Sequence, residues 1–472
     1  MKRYEALAAD IAASIQNGTL KPGDKLPSVR QASISRHVSP ATIFEAYYLL
    51  EAKGLVRSKD RSGHYVAAGV ARLPPEPESV SRPDGEARPV VISELVLGIL
   101  ESTMSRDVVP LGSAFPSPLL FPFDRLGRAT SVAISRLDPW TTVDNLTLGS
   151  QALRQQIALR YLIDGVQVGP DQIVITNGAM EALNLCLSAV CKAGDAVLVE
   201  SPCFYACLQA LERLGLHAVE VATDPRTGID VDALEAAILR HRPKACWVMT
   251  NFQNPLGSSM PEAKKQALVE LITRHRLPMV EDDVYGELYC GSHRPAPTKR
   301  FDGEGWVMHC SSFSKTLAPG YRVGWVSPGR FLREVTYQKL TTSLATSIPA
   351  QLGIARYLER GSLERHLRAL RLDLQRNRDQ YIEAISQHFP SGTKVSRPAG
   401  GYFLWIVLPG AIDALLLHRK AMQAGISIAP GPMFSTSPGF GSCVRINFGH
   451  PLTTRVEAAL QALGRTALRM GK

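Results

Sequence analysis

The run Ser311-Ser-Phe-Ser-Lys-Thr-Leu-Ala-Pro-Gly-Tyr-Arg-Val-Gly324 sets a lysine amine among small hydroxyl residues and leads through a glycine turn to an arginine. Such a set can hold an aldehyde and its phosphate together. Lys315 supplies the amine of a Schiff base, while Ser312, Ser314 and Arg322 take the phosphate, the guanidinium as a bidentate fork. Ser-x-x-Lys by itself is common in surface loops, so other segments must agree. Asn177-Gly-Ala-Met-Glu181 opens an apolar-periodic helix, where the backbone amides of Gly178, Ala179 and Met180 can cup a phosphate at the positive helix end. Asp282 ends a β-rich run with Tyr285 three residues on. A carboxylate there can keep a pyridine nitrogen protonated, which makes the ring an electron sink, and the phenol reaches a ring hydroxyl. In Asn251-Phe-Gln-Asn-Pro-Leu-Gly257 the Asn254 amide falls beside that same hydroxyl. Taken singly, Asp282 with Glu281 and Asp283 also suits a solvated strand end, and Asn254 a plain Asn-Pro turn.

A second group of residues could meet a polyanion. Leu7, Ile11 and Ile15 give a helix over 3–17 with Gly18 as its stop, and Lys21-Pro-Gly-Asp-Lys-Leu-Pro27 is turn chemistry. Ser28 caps a second helix running to about Arg36, and residues 37–39 form a tight turn. Ser39 then caps a third helix with Pro40 at its first position, whose apolar stripe is Ile43, Ala46, Tyr47 and Leu50 and whose stop is Gly54. Two helices on a tight turn make a helix-turn-helix, and the β-rich runs 55–59 and 63–66 make a wing. The outward residues Ala41, Thr42, Glu45 and Tyr48 are the candidate base readers, with Ser39 free for a phosphate. Arg30, Arg36, Lys59, Arg61 and His64 would meet the DNA backbone or, from the wing, the minor groove. On spacing alone, a helical accessory domain or dimerisation arm fits as well.

These groups need different scaffolds. Residues 69–92 are Pro-rich, charged and without hydrophobic period, as in a semi-rigid extended linker. From about residue 95, β-rich runs at 172–176, 196–200, 245–250, 279–282, 306–310 and 323–326 alternate with longer helices, the pattern of a mixed, mostly parallel α/β sheet. The reading divides the chain into a winged helix at 1–68, a linker at 69–94 and a large domain at 95–472.

Composition agrees with that division. The 472 residues are 45% apolar and 20% charged, which excludes a small stapled scaffold and extensive disorder and suits two to four domains. The longest apolar runs are strand-sized and Glu5 and Asp10 interrupt the N-terminal stretch, so the reading is a soluble cytoplasmic protein without a membrane partner. The eight Cys have no C-x-x-C or zinc spacing and are expected as reduced core thiols, with no metal site. Net charge is +10, and residues 1–70 hold ten Lys/Arg against six Asp/Glu, so the excess is densest at the N-terminus.

Lys21-Pro-Gly-Asp-Lys-Leu-Pro-Ser-Val-Arg30, Val38-Ser-x-x-Thr42-x-x-x-Ala46-Tyr-x-x-Leu50-Glu-x-x-Gly54-Leu-Val56 and Arg61-Ser-Gly-His-Tyr-Val66 resemble the GntR family of winged-helix regulators over almost all of residues 1–68. The resemblance implies that Arg30 touches DNA and that Gly63-His64 lie along a groove. Pro40 and Phe44 stand where members of that family often carry arginine. From about residue 110 onward the chain resembles fold-type I, class I/II aminotransferases. This implies pyridoxal 5'-phosphate as cofactor, Lys315 and Asp282 as catalytic groups, and Phe204 in Glu200-Ser-Pro-Cys-Phe204 stacked on its ring, with Tyr205 a second candidate. Gly400-Gly-Tyr-Phe-Leu-Trp405 and Ala429-Pro-Gly-Pro-Met-Phe434 resemble small-domain segments, and Arg445 stands where such enzymes bind an α-carboxylate. The segment 145–149 lacks the tyrosine that often reaches the partner subunit's phosphate. Winged helix, linker and aminotransferase-like domain in that order resemble the MocR (GabR-like) regulators. The implied protein is a homodimeric transcription factor that binds operator DNA and responds to an amine, an amino acid or pyridoxal phosphate. A working aminotransferase on an amino acid and a 2-oxo acid is the alternative, and turnover or half-transamination is left open.

Overall fold

The computed structural model describes residues 3–16, 19–21, 23–52, 54–59, 63–67, 73–101, 105–144, 146–291, 293–410 and 412–471 of the 472. Gly18 and Arg61 lie outside the described residues.

The N-terminal helices are α1 (Arg3–Gln16), α2 (Val29–Arg36) and α3 (Pro40–Ala52), followed by an antiparallel hairpin of β1 (Val56–Lys59) and β2 (Gly63–Val66). Ser28 begins α2 in a capping box with Gln31, and His37 ends it in the left-handed region at φ 51°. The apolar stripe of α3 packs as its spacing requires: Ile43, Ala46, Tyr47 and Leu50 are buried with Leu7, Ile11 and Ile15 of α1 and Val56 and Val66 of the hairpin. This cluster is separate from the cores of the large domain.

The large domain is built on a nine-stranded sheet. Strands His217–Asp224, Ala196–Ser201, Ala245–Val248, Met279–Asp282 and Val307–Ser312 lie side by side in parallel, and Gly324–Ser327 runs antiparallel between Val307–Ser312 and Val174–Thr176. Helices on both faces bury these strands on both sides, which is why they read as continuous apolar runs. The site segments all leave carboxyl ends of parallel strands: Gly178 after Thr176, Phe204 after Ser201, Asn254 after Val248, Asp282 itself, and Lys315 after Ser312. A crevice at that edge is where open α/β sheets bind ligands. A four-stranded sheet contributes Phe403–Val407 and Cys443–Asn447, the latter carrying Arg445.

The Pro-rich segment is laid along the large domain. Val395 N–H donates to the Pro75 carbonyl at 2.9 Å, Arg397 donates to the Pro74 carbonyl, and Thr223 N–H donates to Ser81 Oγ at 2.8 Å. Residues Ala87–Pro89 form β3, an antiparallel edge strand on His217–Val219 that the sequence pattern does not announce. Helix α4 (Ser93–Glu101) follows, its entry held by Glu212, which accepts from the amides of Ile92 and Ser93.

Candidate cofactor site and nucleic-acid interface

Lys315 reaches across the crevice to the segment 112–115. Its Nζ donates to the Ala114 carbonyl at 2.8 Å and lies 3.7 Å over the Phe115 ring. Burial pushes its pKa down to about 7, Arg445 and Arg322 push the same way, and Asp282 opposes them. A lysine so placed carries a substantial neutral fraction, the form that attacks a carbonyl. Asp282 is buried, and burial with the neighbouring Asp283 raises its pKa to about 7 against the pull of Lys315. Its Oδ1 has no hydrogen-bond partner.

Asp283 turns away from this atom. It accepts from Asn251 Nδ2 at 3.0 Å and faces His309 Nε2 at 3.3 Å, whose Nδ1 is 2.7 Å from Tyr161 Oη. Burial would raise the Asp283 carboxyl, yet His309, Arg294 and Asn251 hold it below its ordinary range. Two adjacent carboxylates are thus sorted by environment, one held as an anion and one left with a buried, unpaired oxygen.

Arg445 is buried, stacks 4.3 Å from the Phe403 ring, donates to Asn254 Oδ1 at 2.9 Å, and donates to the carbonyls of Gly112 and Ser113 at 2.6 and 3.2 Å. Its Nε and Asn254 Nδ2 are buried without partners. Tyr285 is buried edge-on to Tyr402 and Phe403, with its phenol pKa raised by burial. Phe204 is half-buried, its ring 4.7 Å from that of Tyr205.

The phosphate side is shaped by two glycines. Gly178, at φ 82°, precedes the helix Ala179–Val190 with no side-chain cap, and a Cβ there would lie 2.5 Å from Arg322 Nη2. A Cβ on Gly324 would lie 2.6 Å from the Gly178 carbonyl carbon. Arg322 is therefore packed against the Gly178 backbone at the start of this helix, its Nη2 donating to the Asn177 carbonyl at 3.4 Å and its Nη1 to Ser314 Oγ at 3.2 Å. Ser312 and Ser314 are both buried beside it. These residues fit pyridoxal phosphate: a bare carboxylate oxygen for a ring nitrogen, a bare amide for a ring hydroxyl, a lysine of lowered pKa, and a guanidinium with helix amides for a phosphate.

Several groups in this site had no signal in the sequence. The Ala114 carbonyl and Phe115 ring that hold Lys315 lie about 200 residues earlier in the chain. Tyr402 Oη donates to that same carbonyl at 3.0 Å. Glu181 braces the phosphate helix by accepting from Asn177 N–H at 2.6 Å and Lys339 Nζ at 3.0 Å. Short polar partners brought together by long-range packing leave no periodicity to read.

In the winged helix, Arg30 and Arg36 are exposed, the latter 3.7 Å from Asp10. Ser39 Oγ accepts from Thr42 N–H at 3.2 Å and lies 2.9 Å from Thr42 Oγ1, so both hydroxyls serve the start of α3. His64 is half-buried, its ring 5.0 Å from that of Tyr47. Ala41, Phe44, Glu45 and Tyr48 stand on the exposed face of α3.

Fold and site together define an aminotransferase-type domain behind a winged helix. Residues 146–463 match the class I and II aminotransferases and residues 3–66 match the bacterial regulatory proteins of the gntR family. YdcR of Escherichia coli K12, an HTH-type transcriptional regulator, is 42% identical over 466 residues, 98% of this chain and 99% of that protein. Aromatic-amino-acid aminotransferase 1 of Thermococcus litoralis is 30% identical over 78% of this chain and 90% of its own length. The kynurenine aminotransferase of Pyrococcus horikoshii, solved with PMP, superposes with a TM-score of 0.74 at 29% identity, covering 80% of this chain and 95% of that one. The chain belongs to the class I and II aminotransferase family and is a GntR-type regulator fused to that domain. Among the described residues no helix is long and apolar enough to cross a membrane, and no three His, Cys, Asp or Glu side chains group as a metal site.

Proposed function

We propose that this protein is a cytoplasmic, homodimeric regulator that binds operator DNA through its winged helix and changes its DNA affinity when the large domain meets an amine, an amino acid or pyridoxal phosphate. When bound, pyridoxal phosphate supplies an electrophilic carbon and an electron-withdrawing ring. Lys315 would hold the cofactor through its amine, and Asp282 would keep a proton on the ring nitrogen. Asn254 and Tyr285 would orient the ring hydroxyl, Phe204 would cover the ring face, and Gly178, Ala179, Met180, Ser312, Ser314 and Arg322 would bind the phosphate. Arg445 would exchange its contacts with the Gly112 and Ser113 carbonyls for an effector carboxylate, which offers two charged acceptors in place of two neutral ones. Arg30, Arg36, Arg61 and His64 would contact the DNA, and Ser39 and Thr42 would do so only through the capacity their hydroxyls keep beyond the bonds at the start of α3. The observation that carries the reading is the convergence of Lys315, Asp282, Asn254 and Arg445 at one crevice in a chain that also carries a gntR-family module.

The completeness of that crevice also favours a second reading, a working aminotransferase. Reciprocal coupling separates the two. Full-length protein is titrated with a duplex it selects from a random-sequence library, with and without cofactor and candidate amines. A regulator shows an affinity change of about 5–150-fold, and DNA changes amine affinity by the same factor. Both ligands bound with no mutual effect, together with steady transamination, makes the protein an enzyme.

A further inference from the structure

Ala41, Phe44, Glu45 and Tyr48 follow one another on α3 at the spacing that aligns side chains along one helix face, opposite the buried stripe Ile43, Ala46, Tyr47 and Leu50. Phe44 is 58% exposed and Tyr48 64% exposed. An apolar ring left that open in a module of this size has not been used for packing. Glu45 makes no hydrogen bond or ion pair among the described residues and stands beside Phe44 as a bare acceptor. The other polar groups near the start of α3, Ser39 and Thr42, are spent on each other and on the helix amide.

The composition of this face restricts what it can read. Guanine is read by the Arg or Lys fork and adenine by the amide of Asn or Gln, and the face holds none of these four. What remains suits a pyrimidine edge. The C5-methyl of thymine is the apolar group the major groove offers to a phenyl ring or an alanine methyl, and the cytosine N4 amino group is the donor that an acceptor-only carboxylate takes there. A carboxylate turned toward DNA meets phosphate repulsion, and the exposed cations Arg30 on α2 and Arg57 on β1 supply the opposing charge from neighbouring elements.

Resting on the DNA-binding reading above, we infer that α3 reads pyrimidines in the major groove, Phe44 and Ala41 contacting thymine methyl groups and Glu45 accepting from cytosine N4, with no guanine contact from this helix. Phe44 then determines thymine specificity through its apolar surface, and Glu45 determines cytosine through its lack of a donor.

The test uses full-length protein and the duplex it selects from a random-sequence library. Replacing the thymines of the selected core by deoxyuridine removes only the methyl groups. Affinity should fall about fourfold for each methyl contacted, the fold-change that burying one such group corresponds to. Phe44→Ala, at an exposed position that leaves the core intact, should lose the methyl effect at the thymine that Phe44 contacts while keeping the one at the thymine beside Ala41. Glu45→Gln should lose its preference at one C·G pair while keeping the methyl effect. Equal wild-type affinity for thymine and deoxyuridine duplexes, with selective, salt-dependent binding retained, overturns the inference and leaves the regulator reading standing. Failure to select any sequence, with only non-specific binding, overturns both.

Discussion

In the large domain most of the working groups are buried or half-buried, and the protonation of Lys315 and Asp282 is moved by their neighbours; in the winged helix most of them stand exposed to water. Lys315 and Asp282 are both drawn to about 7 from opposite directions: burial penalises each charge, Arg445 and Arg322 push the lysine further down, and Asp283 pushes the aspartate further up. Arg30, Arg36 and Glu45, by contrast, are exposed at the ends and faces of short helices. The contrast follows from the ligands. A small cofactor must be enclosed and its reacting atoms oriented by groups that water cannot screen. A DNA duplex is too large to enclose, and is met by an open face whose charges act through released counterions. One chain therefore contains a site whose chemistry depends on burial and a surface whose chemistry depends on exposure.

The comparison is broken most directly at Lys315. Lys315→Ala should abolish the cofactor's visible absorbance and any borohydride-stable attachment, because a Schiff base needs an amine at that position, while affinity for the selected duplex in cofactor-free protein stays unchanged. Retained attachment in the variant would place the anchoring amine elsewhere.

The converse change falls on the small core. Leu50 is fully buried in a cluster made only of residues from α1 to α3, the hairpin and the turn before α2. Leu50→Ala should cost the winged helix about 2–5 kcal/mol, removing DNA binding, with the cofactor absorbance of the large domain preserved. Differential scanning calorimetry would then show two transitions, of which only one moves. A single transition that shifts as a whole would mean that the two regions fold as one unit.

A third expectation sharpens the electrostatic half of the contrast. Lys315 is charged below about pH 7 and neutral above it, so the rate of cofactor attachment to apo-protein should fall tenfold per pH unit below that point and level off above about pH 8. Arg445→Ala removes one of the cations that push the lysine down and should move the midpoint to higher pH. Stopped-flow absorbance measures both. A midpoint near the ordinary lysine value would show that the crevice admits water freely.

Much of this contrast is legible in the sequence. Spacing and capping located α1 to α3 within a residue or two, since α1 and α3 each carry an apolar stripe and α2 begins at a serine cap. The candidate residues Gly178, Phe204, Asn254, Asp282 and Lys315 could be grouped from the sequence because each ends or follows a β-rich run, and strand ends at one edge of a parallel sheet converge by topology. Two kinds of feature are not legible there. The edge strand β3 has three residues, one of them proline, inside a charged Pro-rich stretch, too short to show an alternating pattern. The backbone carbonyls of Gly112, Ser113 and Ala114, which satisfy Arg445 and Lys315, involve no side chain and so leave nothing to read.

The Pro-rich strap joins the two regions, and its fastening gives the smallest expected effect. Glu76 accepts from Arg397 N–H and from Arg226 Nη2, both at 3.2 Å, and so ties the strap to two separate loops. One of those loops continues from Arg397 through Gly400 to Tyr402 and Phe403, whose rings pack against Tyr285 and, for Phe403, Arg445. A change at the crevice thus has a packed route to the segment that precedes β3. Partly exposed ion pairs of this kind contribute about 0.2–1 kcal/mol each, so Glu76→Ala should leave the fold and the cofactor absorbance unchanged. It should speed hydrogen exchange of the Arg397 amide, which loses its acceptor, and of the Val395 amide, which bonds to the Pro75 carbonyl, by a few-fold. The coupling between amine and DNA should weaken by a similar small factor. Exchange that stays the same would assign the strap's anchorage to β3 and the Ser81 to Thr223 bonds alone. Coupling that disappears altogether would make Glu76 a main connection between the two regions, not one of several.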